Sequence, residues 1–174
     1  GNDELLVGTP TNIPRLLGLV DGAWSAQPAV ETLLPRDNVR SADFNGDGRA
    51  DLMTTGSPYS ILIGRGDGHF EPAGQLENNR GSTVPVLSDL NGDGAAEAML
   101  ITSSLERGRR AYFQVFVNLG DGRFEPGREV FLNRPILRMA PIDLDDEPAI
   151  LVSIGGGFNE EVVFTALRAQ CLLE

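Results

Sequence analysis

The chain contains no lysine, and its 14 basic residues, all arginine, are outnumbered by 25 aspartates and glutamates. The formal net charge is therefore −11, whereas the hydrophobic share of 41% is ample for a packed core. A surface with this excess of negative charge repels phosphate backbones. We expect no nucleic-acid partner.

Cysteine and histidine are scarce, with one residue of each, Cys171 and His69. A single cysteine cannot form an internal disulfide, so Cys171 is either a small hydrophobic residue or a free thiol. No Ser/His/Asp or Cys/His catalytic arrangement can be assembled from one histidine and one cysteine at these positions. The sequence therefore predicts a protein that is not an enzyme.

Long apolar runs are missing as well. The longest ones, residues 98–101 and 149–152, hold four residues each, whereas a membrane helix needs about 20. No membrane span is predicted. Residues 1–4 also have neither the basic nor the apolar region of a signal peptide, but a leader that had been removed would leave no trace.

An internal repeat is the main feature that the sequence does contain. The nine residues 43–51, DFNGDGRAD, recur 46 residues later at 89–97 as DLNGDGAAE. A second signature follows each copy, GRGDGHFEP at 64–72 and NLGDGRFEP at 118–126. Two signatures in one register indicate a structural repeat.

Weaker copies extend the repeat towards both ends. GLVDGAW at 18–24 matches the second signature, and DLDDE at 143–147 is a degenerate copy of the first. The first residues align with the second half of the acidic stretch, so we expect a fragment or a processed piece of a longer chain. We place the repeats of this single domain at about 1–41, 42–87, 88–140 and 141–174.

Short apolar runs bounded by turn residues predict strands within each repeat. Strands A to D are expected at 38–42, 51–55, 60–64 and 69–74, and again at 83–88, 97–102, 111–118 and 123–131. Asp67-Gly68 predicts a two-residue type I′ turn between strands C and D. The first repeat keeps strands B to D, and the fourth has strands A to C with only 168–174 left for strand D.

A four-stranded antiparallel meander of about 46 residues has the size of a propeller blade. The fold class is therefore all-β, a partial β-propeller of four-stranded antiparallel blades, with about four blades present and the first and last incomplete. The missing first strand A predicts an exposed sheet edge.

The order of strands in a meander also decides which connections share an edge. Antiparallel strands place the A–B loops and the C–D turns at one edge of the blades, and the insertion within 102–110 at the other. Its three arginines, Arg107, Arg109 and Arg110, form either an anion-binding patch or a solvated loop.

The two acidic stretches, which we call the acidic loops, are predicted to bind metal. Side-chain oxygens at loop positions one, three, five and nine, with the carbonyl at position seven, converge if the glycines allow a tight coil. Such hard oxygen ligands favour Ca²⁺ over Mg²⁺ and Zn²⁺. The predicted ligands are Asp43, Asn45, Asp47, the Arg49 carbonyl and Asp51 in the first loop, and Asp89, Asn91, Asp93, the Ala95 carbonyl and Glu97 in the second.

Two other structures share part of this loop pattern. An EF-hand needs a bidentate Glu at position twelve, but that position holds Thr54 in one loop and Leu100 in the other. The loops can also be Asx-rich turns that bind no metal. The copy that begins at Asp143 lacks the glycines and the spacing, so a plain turn is expected there rather than a third site.

An acidic loop, an apolar strand and a Gly-Asp-Gly-x-Phe hairpin together resemble the FG-GAP/VCBS repeats of integrin α-subunit propellers and of many bacterial extracellular proteins. The resemblance covers about residues 1–167. It implies β-propeller blades with Ca²⁺ held between strands A and B, in an extracellular, cell-surface or periplasmic setting. The chain departs from the family in its degenerate fourth loop and in having fewer than the usual seven blades.

The function expected from these features is a non-catalytic, calcium-binding module for protein or carbohydrate binding, for example in adhesion. One alternative is an accessory or partial catalytic domain of a secreted hydrolase or lyase, for which 145–147 and 160–161 hold the only spare groups of adjacent carboxylates. Another is an architectural half-ring completed by another chain, for example by self-association.

Two smaller motifs are assigned to structure. The hairpin register, which residues 118–122 also follow, explains Arg65-Gly66-Asp67, so we do not interpret this tripeptide as an adhesion motif. Trp24, Phe70 and Phe124 occupy one repeat position and are expected to pack between blades.

Overall fold

The computed structural model describes residues 4–9, 12–20, 23–29, 39–55, 58–77, 84–104, 110–132, 134–155 and 163–173. Within these ranges the chain forms fourteen strands and one short helix, arranged as four successive antiparallel sheets. In each sheet the strands follow one another in chain order. Each sheet is therefore a meander.

The four sheets are numbered along the chain. Sheet 1 contains β1 (Glu4–Thr9), β2 (Asn12–Val20) and β3 (Ala23–Ala29). Sheet 2 contains β4 (Val39–Ala42), β5 (Asp51–Thr54), β6 (Tyr59–Gly64) and β7 (Phe70–Leu76). Sheet 3 contains β8 (Val86–Ser88), β9 (Glu97–Ser104), β10 (Arg110–Asn118) and β11 (Phe124–Phe131). Sheet 4 contains β12 (Ile136–Leu144), β13 (Glu147–Ile154) and β14 (Val163–Arg168), and helix α1 (Ala169–Leu173) follows it.

The predicted all-β class is confirmed, and the meanders form a partial, propeller-like set of blades. The predicted strands of the second and third repeats correspond to the strands of sheets 2 and 3. The last residues are the exception, because they form α1 instead of a fourth strand. Ala169 and Leu172 lie three positions apart, so a helix places both on one side, and both are buried.

Apolar side chains hold neighbouring sheets together face to face. Between sheets 2 and 3, Met53 packs with Leu100 and Phe116 in one core. Between sheets 3 and 4, Met99 packs with Ile150 and other side chains in a second core, which also includes α1. Successive residues of a strand point to opposite faces. Both faces of β9 are therefore covered, which explains why residues 98–101 are apolar without alternation.

The predicted type I′ turn at Asp67-Gly68 is wrong. Positive φ values occur at Gly66 (80°) and Gly68 (86°), with Asp67 between them outside that region. The N–H of Arg65 donates to the carbonyl of His69 at 2.9 Å, so the connection is a longer loop. Two consecutive positive φ values occur instead in the degenerate copy, at Asp145 (55°) and Asp146 (62°), where Leu144 pairs with Glu147.

The insertion in the third repeat lengthens a hairpin. β9 and β10 remain paired through Ser104 and Arg110. The segment expected to be an irregular insertion is therefore partly strand, while Arg107 and Arg109 lie outside the described residues. In the described part of the chain, no helix combines the length and apolar character that crossing a membrane requires.

Candidate metal centre

The first acidic loop connects β4 to β5 and folds around the carboxylate of Asp43. Its Oδ1 accepts the N–H groups of Asn45 (3.1 Å) and Gly46 (2.7 Å), and its Oδ2 accepts that of Gly48 (2.7 Å). Gly46 and Gly48 have φ values of 73° and 77°, a conformation that glycine adopts without strain. The glycines thus let the loop coil around its first aspartate, as the sequence predicted.

The middle of the loop is organised by turns of its own side chains. The Asn45 Oδ1 accepts the N–H of Asp47 at 3.1 Å, and the Asp47 Oδ1 accepts the N–H of Arg49 at 2.9 Å. The Asn45 amide also donates to Asp47 Oδ2 at 3.0 Å, which lowers the pKa of Asp47. Asn45 and Asp47 therefore lie side by side.

The second acidic loop, between β8 and β9, repeats this arrangement. The Asp89 carboxylate accepts the N–H groups of Gly92 (2.8 Å) and Gly94 (3.0 Å). Asn91 Oδ1 accepts the N–H of Asp93, and Asp93 Oδ1 accepts that of Ala95, both at 2.8 Å. The repeat in the sequence is therefore a repeat of local geometry.

The carboxylate at position nine of each loop is buried. Asp51 and Glu97 both have no solvent exposure. Asp51 accepts the N–H groups of Phe44 and Gly64, both at 2.7 Å, and Glu97 accepts that of Leu90 at 2.8 Å and the side-chain amide of Asn91 at 3.3 Å. The bonds from Phe44, Leu90 and Asn91 connect the first residues of each loop to its last residue, and the bond from Gly64 connects Asp51 to β6.

Burial raises the pKa of both Asp51 and Glu97 above the ordinary values. The negative charges of Asp47 and Asp43 raise the pKa of Asp51 further, and Asp93 and Asp89 do the same to Glu97. The backbone N–H groups act in the opposite direction. Among the described side chains, none that is cationic forms an ion pair with Asp51 or Glu97.

The two acidic loops are joined to each other across sheets 2 and 3. The Asp43 carbonyl accepts the N–H of Ala96 at 2.8 Å. Asn118, which is buried, donates its side-chain amide to the carbonyls of Phe44 (3.1 Å) and Ala96 (3.0 Å). Gly122 donates a further N–H to Phe44 at 3.2 Å. The loops therefore form one hydrogen-bonded unit.

The donor types in this unit suit Ca²⁺, because they are carboxylate, amide and carbonyl oxygens. Each oxygen that accepts one N–H keeps a second lone pair, whereas Asp43 Oδ1 accepts two N–H groups. No three His, Cys, Asp or Glu side chains in the described ranges are grouped to hold a metal ion. A Ca²⁺ site in either loop therefore needs the Asn oxygen and the position-seven carbonyl in addition to the carboxylates.

The degenerate copy at 143–147 forms a tight turn. It is the tight hairpin between β12 and β13. Two of its carboxylates pair with an arginine of the same sheet, because Arg168 donates to Glu147 at 2.6 Å and to Asp145 at 2.8 Å. Two of the three spare acidic residues at 145–147 are thus bound by arginine, while the spare pair at 160–161 lies outside the described residues.

The acidic loops and the C–D turns lie at one edge of the blades, as predicted. The Arg49 guanidinium donates to the carbonyl of Arg65, in the neighbouring turn, at 3.0 Å. Arg65 forms an ion pair with Glu71, and Asp67 accepts the N–H of His69 at 3.0 Å. The Arg65-Gly66-Asp67 tripeptide is therefore part of the hairpin structure.

The aromatic position of the repeat has two different environments. Phe124 packs edge-on against Phe44 with ring centroids 5.7 Å apart, which confirms packing between blades. Phe70 packs against Leu52 and Leu62 of its own sheet instead. The side chain of Trp24 lies outside the described residues.

The sequence did not reveal the role of Asn118. It occupies the repeat position that Gly64 holds one blade earlier, and this departure from the repeat was the available signal. A Cβ at Gly64 would lie too close to the carbonyl oxygen of Ala50. The same position therefore accommodates a bridging amide in one blade and no side chain in the other.

The family comparison agrees with this geometry. The family model described as an FG-GAP-like repeat matches residues 43–100, about a third of the chain, from the start of the first acidic loop to just beyond the second. No curated protein and no solved structure shows significant similarity to the chain. The chain thus contains an FG-GAP-like repeat.

Proposed function

Starting from the FG-GAP-like repeat at residues 43–100, we propose that the chain is a non-catalytic binding module whose propeller-like blades are stabilised by two structural Ca²⁺ ions. One observation carries the proposal. Each acidic loop buries its last carboxylate, Asp51 or Glu97, beside other carboxylates and without a cationic partner among the described side chains. A buried carboxylate is costly unless it is paired.

Ca²⁺ would supply the missing positive charge and draw the loop oxygens together. The first ion would be held by Asp43, Asn45, Asp47, the Arg49 carbonyl and Asp51, and the second by Asp89, Asn91, Asp93, the Ala95 carbonyl and Glu97. Protein oxygens would fill most of each coordination shell, so the role is structural rather than catalytic. In the degenerate turn of sheet 4, by contrast, the carboxylates of Asp145 and Glu147 are exposed and pair with Arg168.

Binding at the loops would act on the whole blade pair. Asp43 and Phe44 accept hydrogen bonds from Ala96, Asn118 and Gly122 of the next sheet. Ordering one loop would therefore also order its contacts with sheet 3. Such a module works where Ca²⁺ is plentiful. We therefore propose that it acts outside the cytoplasm, at the cell surface, in the periplasm or in the surrounding medium. Its proposed ligand is a protein or a carbohydrate.

Thermal unfolding in CaCl₂, in MgCl₂ and in EDTA tests the metal part of the proposal. If Ca²⁺ binds only the folded chain, each site adds about 2.7 kcal/mol at a hundredfold excess over Kd. Calorimetric titration should give two ions per chain, and Asp43→Asn or Asp89→Asn should each remove one. Asp67→Asn is the matched control, because Asp67 is exposed in a hairpin outside both loops. Equal Tm values in CaCl₂ and EDTA would contradict the proposal.

A glycan array and a pull-down with extracellular proteins test the binding part. We expect retention of a ligand without release of reducing sugar or of unsaturated product. Turnover that persists through purification would instead favour the accessory or catalytic domain of a hydrolase or lyase.

A further inference from the structure

A groove lies between the first strands of three successive sheets. β4, β8 and β12 are each an edge strand of their sheet, and together they border a cavity of about 610 Å³. The residues that line it include Arg40 of β4, Val86 of β8 and Val84, which lies two positions before Val86. Arg138, Met139 and Pro141 of β12 complete this set. The acidic loops contribute no residue to this lining.

Two arginines stand out in this groove because the chain as a whole carries a charge of −11. Four other arginines pair with carboxylates: Arg49, Arg65, Arg123 and Arg168. Arg40 and Arg138 have no carboxylate partner among the described side chains, and the Arg40 guanidinium donates to the carbonyl of Val39 at 3.3 Å. Both are exposed. Two guanidiniums that face one concave space focus positive potential there.

The rest of the lining is largely apolar. Val84 is 46% exposed, Met139 is half-buried and Pro141 is exposed. The cavity volume lies within the range of about 300–1,000 Å³ that is typical of small-molecule sites. An arginine fork matches a carboxylate with two parallel hydrogen bonds. The groove therefore combines recognition of an anion with a surface for an apolar body.

We propose that this groove binds a small amphipathic organic acid. Arg40 and Arg138 hold its carboxylate, and its apolar part lies on Val86 and Met139. No aromatic side chain lines the groove within the described residues, so it lacks the stacking platform on which sugar rings usually lie. The site adds a small-molecule ligand to the function proposed above and does not depend on calcium.

The methionines provide a direct test. The chain has three, of which Met53 and Met99 are fully buried in the sheet-to-sheet cores, whereas Met139 lines the groove. With methyl-¹³C methionine, each gives one NMR signal, and Met139→Leu assigns the third. Titration with sodium 2-naphthoate should shift the Met139 methyl signal in a saturable manner and leave the other two in place. Those two signals also report that the chain remains folded.

Charge and fork geometry are tested separately with variants. Arg40→Gln and Arg138→Gln should each raise the Kd for 2-naphthoate about tenfold or more. The Kd of Arg138→Lys should lie between that of the wild type and that of Arg138→Gln. Arg123→Gln removes one charge from a distant hairpin and should leave the Kd unchanged. The neutral 2-naphthamide should bind at least about tenfold more weakly than 2-naphthoate.

Several outcomes overturn the proposal. One is saturation by 2-naphthoate without a shift at Met139. Others are equal binding of the amide and the acid, or equal Kd values for Arg40→Gln, Arg138→Gln and Arg123→Gln. Displacement by inorganic phosphate at equal concentration would show that the apolar body is not recognised. Tighter binding of hexaglutamate than of 2-naphthoate would show that the occupant is an acidic peptide instead.

Discussion

The peptide N–H of Ala96 donates to the carbonyl of Asp43 at 2.8 Å, which joins the second acidic loop directly to the first. The two loops approach closely elsewhere too, since a Cβ added at Gly46 would lie 3.9 Å from the carbonyl oxygen of Asp93. Neither contact is visible in a comparison of the repeats, because each links one repeat to the next. This relationship makes the two loops one unit.

Substitutions in the two loops should not be additive. In saturating CaCl₂, Asp43→Asn and Asp89→Asn each weaken their own loop, and the shared hydrogen bonds transmit part of each loss. We expect an interaction energy of about 0.5–3 kcal/mol in a double-mutant cycle measured by urea unfolding. Asp43→Asn combined with Glu147→Gln, in sheet 4, is the additive control. Additivity in both pairs would show that the loops act independently.

Asn118→Ala should lower the free energy of unfolding by about 1–3 kcal/mol, because it leaves the buried carbonyls of Phe44 and Ala96 without their side-chain donor. Asn118→Asp keeps the shape but loses the amide N–H groups, so it should be destabilising as well. Gln75→Ala, at an exposed position of β7, is the control. Urea unfolding is the measurement. A stable Asn118→Asp variant would show that these bonds contribute nothing.

Gly64→Ala and Gly120→Ala should destabilise the chain for different reasons. At Gly64 the new Cβ collides with the carbonyl of Ala50 and displaces the N–H that donates to Asp51. At Gly120 the Cβ meets nothing within 4 Å, but φ is 81° and an alanine there is strained. We expect both to lower Tm and only Gly64→Ala to reduce the rise in Tm that CaCl₂ produces. An equal effect of CaCl₂ on both variants would argue against a role for Asp51 in the metal site.

Asp146→Gly should stabilise the turn between β12 and β13 by about 0.5–1 kcal/mol. Asp146 has a φ of 62°, which glycine adopts without a Cβ penalty. Asp145→Gly relieves a similar strain but removes the carboxylate that Arg168 contacts at 2.8 Å. We therefore expect a smaller gain or a loss for Asp145→Gly. Chemical unfolding at low and high salt checks this, and a larger gain for Asp145→Gly would contradict it.

Much of the fold could be predicted from the sequence. Short apolar runs between glycine-rich turns located the strands of sheets 2 and 3, since strand periodicity and turn chemistry are local properties. The coiling of the acidic loops around Asp43 and Asp89 was equally local, because it depends on Asx turns and on glycines with positive φ. The type I′ turn predicted at Asp67-Gly68 is wrong because an Asp-Gly pair occurs both in two-residue turns and in longer loops such as this one.

Other features depended on contacts between distant residues. The end of the chain forms α1 rather than a strand because Ala169 and Leu172 find an apolar surface between sheets 3 and 4. The bridging role of Asn118 requires the carbonyls of Phe44 and Ala96 to be brought together from two sheets. A local sequence pattern does not show which distant residues come into contact.

The sequence alone is enough to predict a repeat of antiparallel blades and the clustering of hard oxygen atoms in two of the loops. Spacing of residues along one short segment is sufficient for both conclusions. The packing of the sheets, in contrast, is what joins the two loops into one hydrogen-bonded unit and brings Arg40 and Arg138 to the same groove. These relationships arise when separate sheets pack against each other, since packing brings together groups that are dozens of residues apart in the chain.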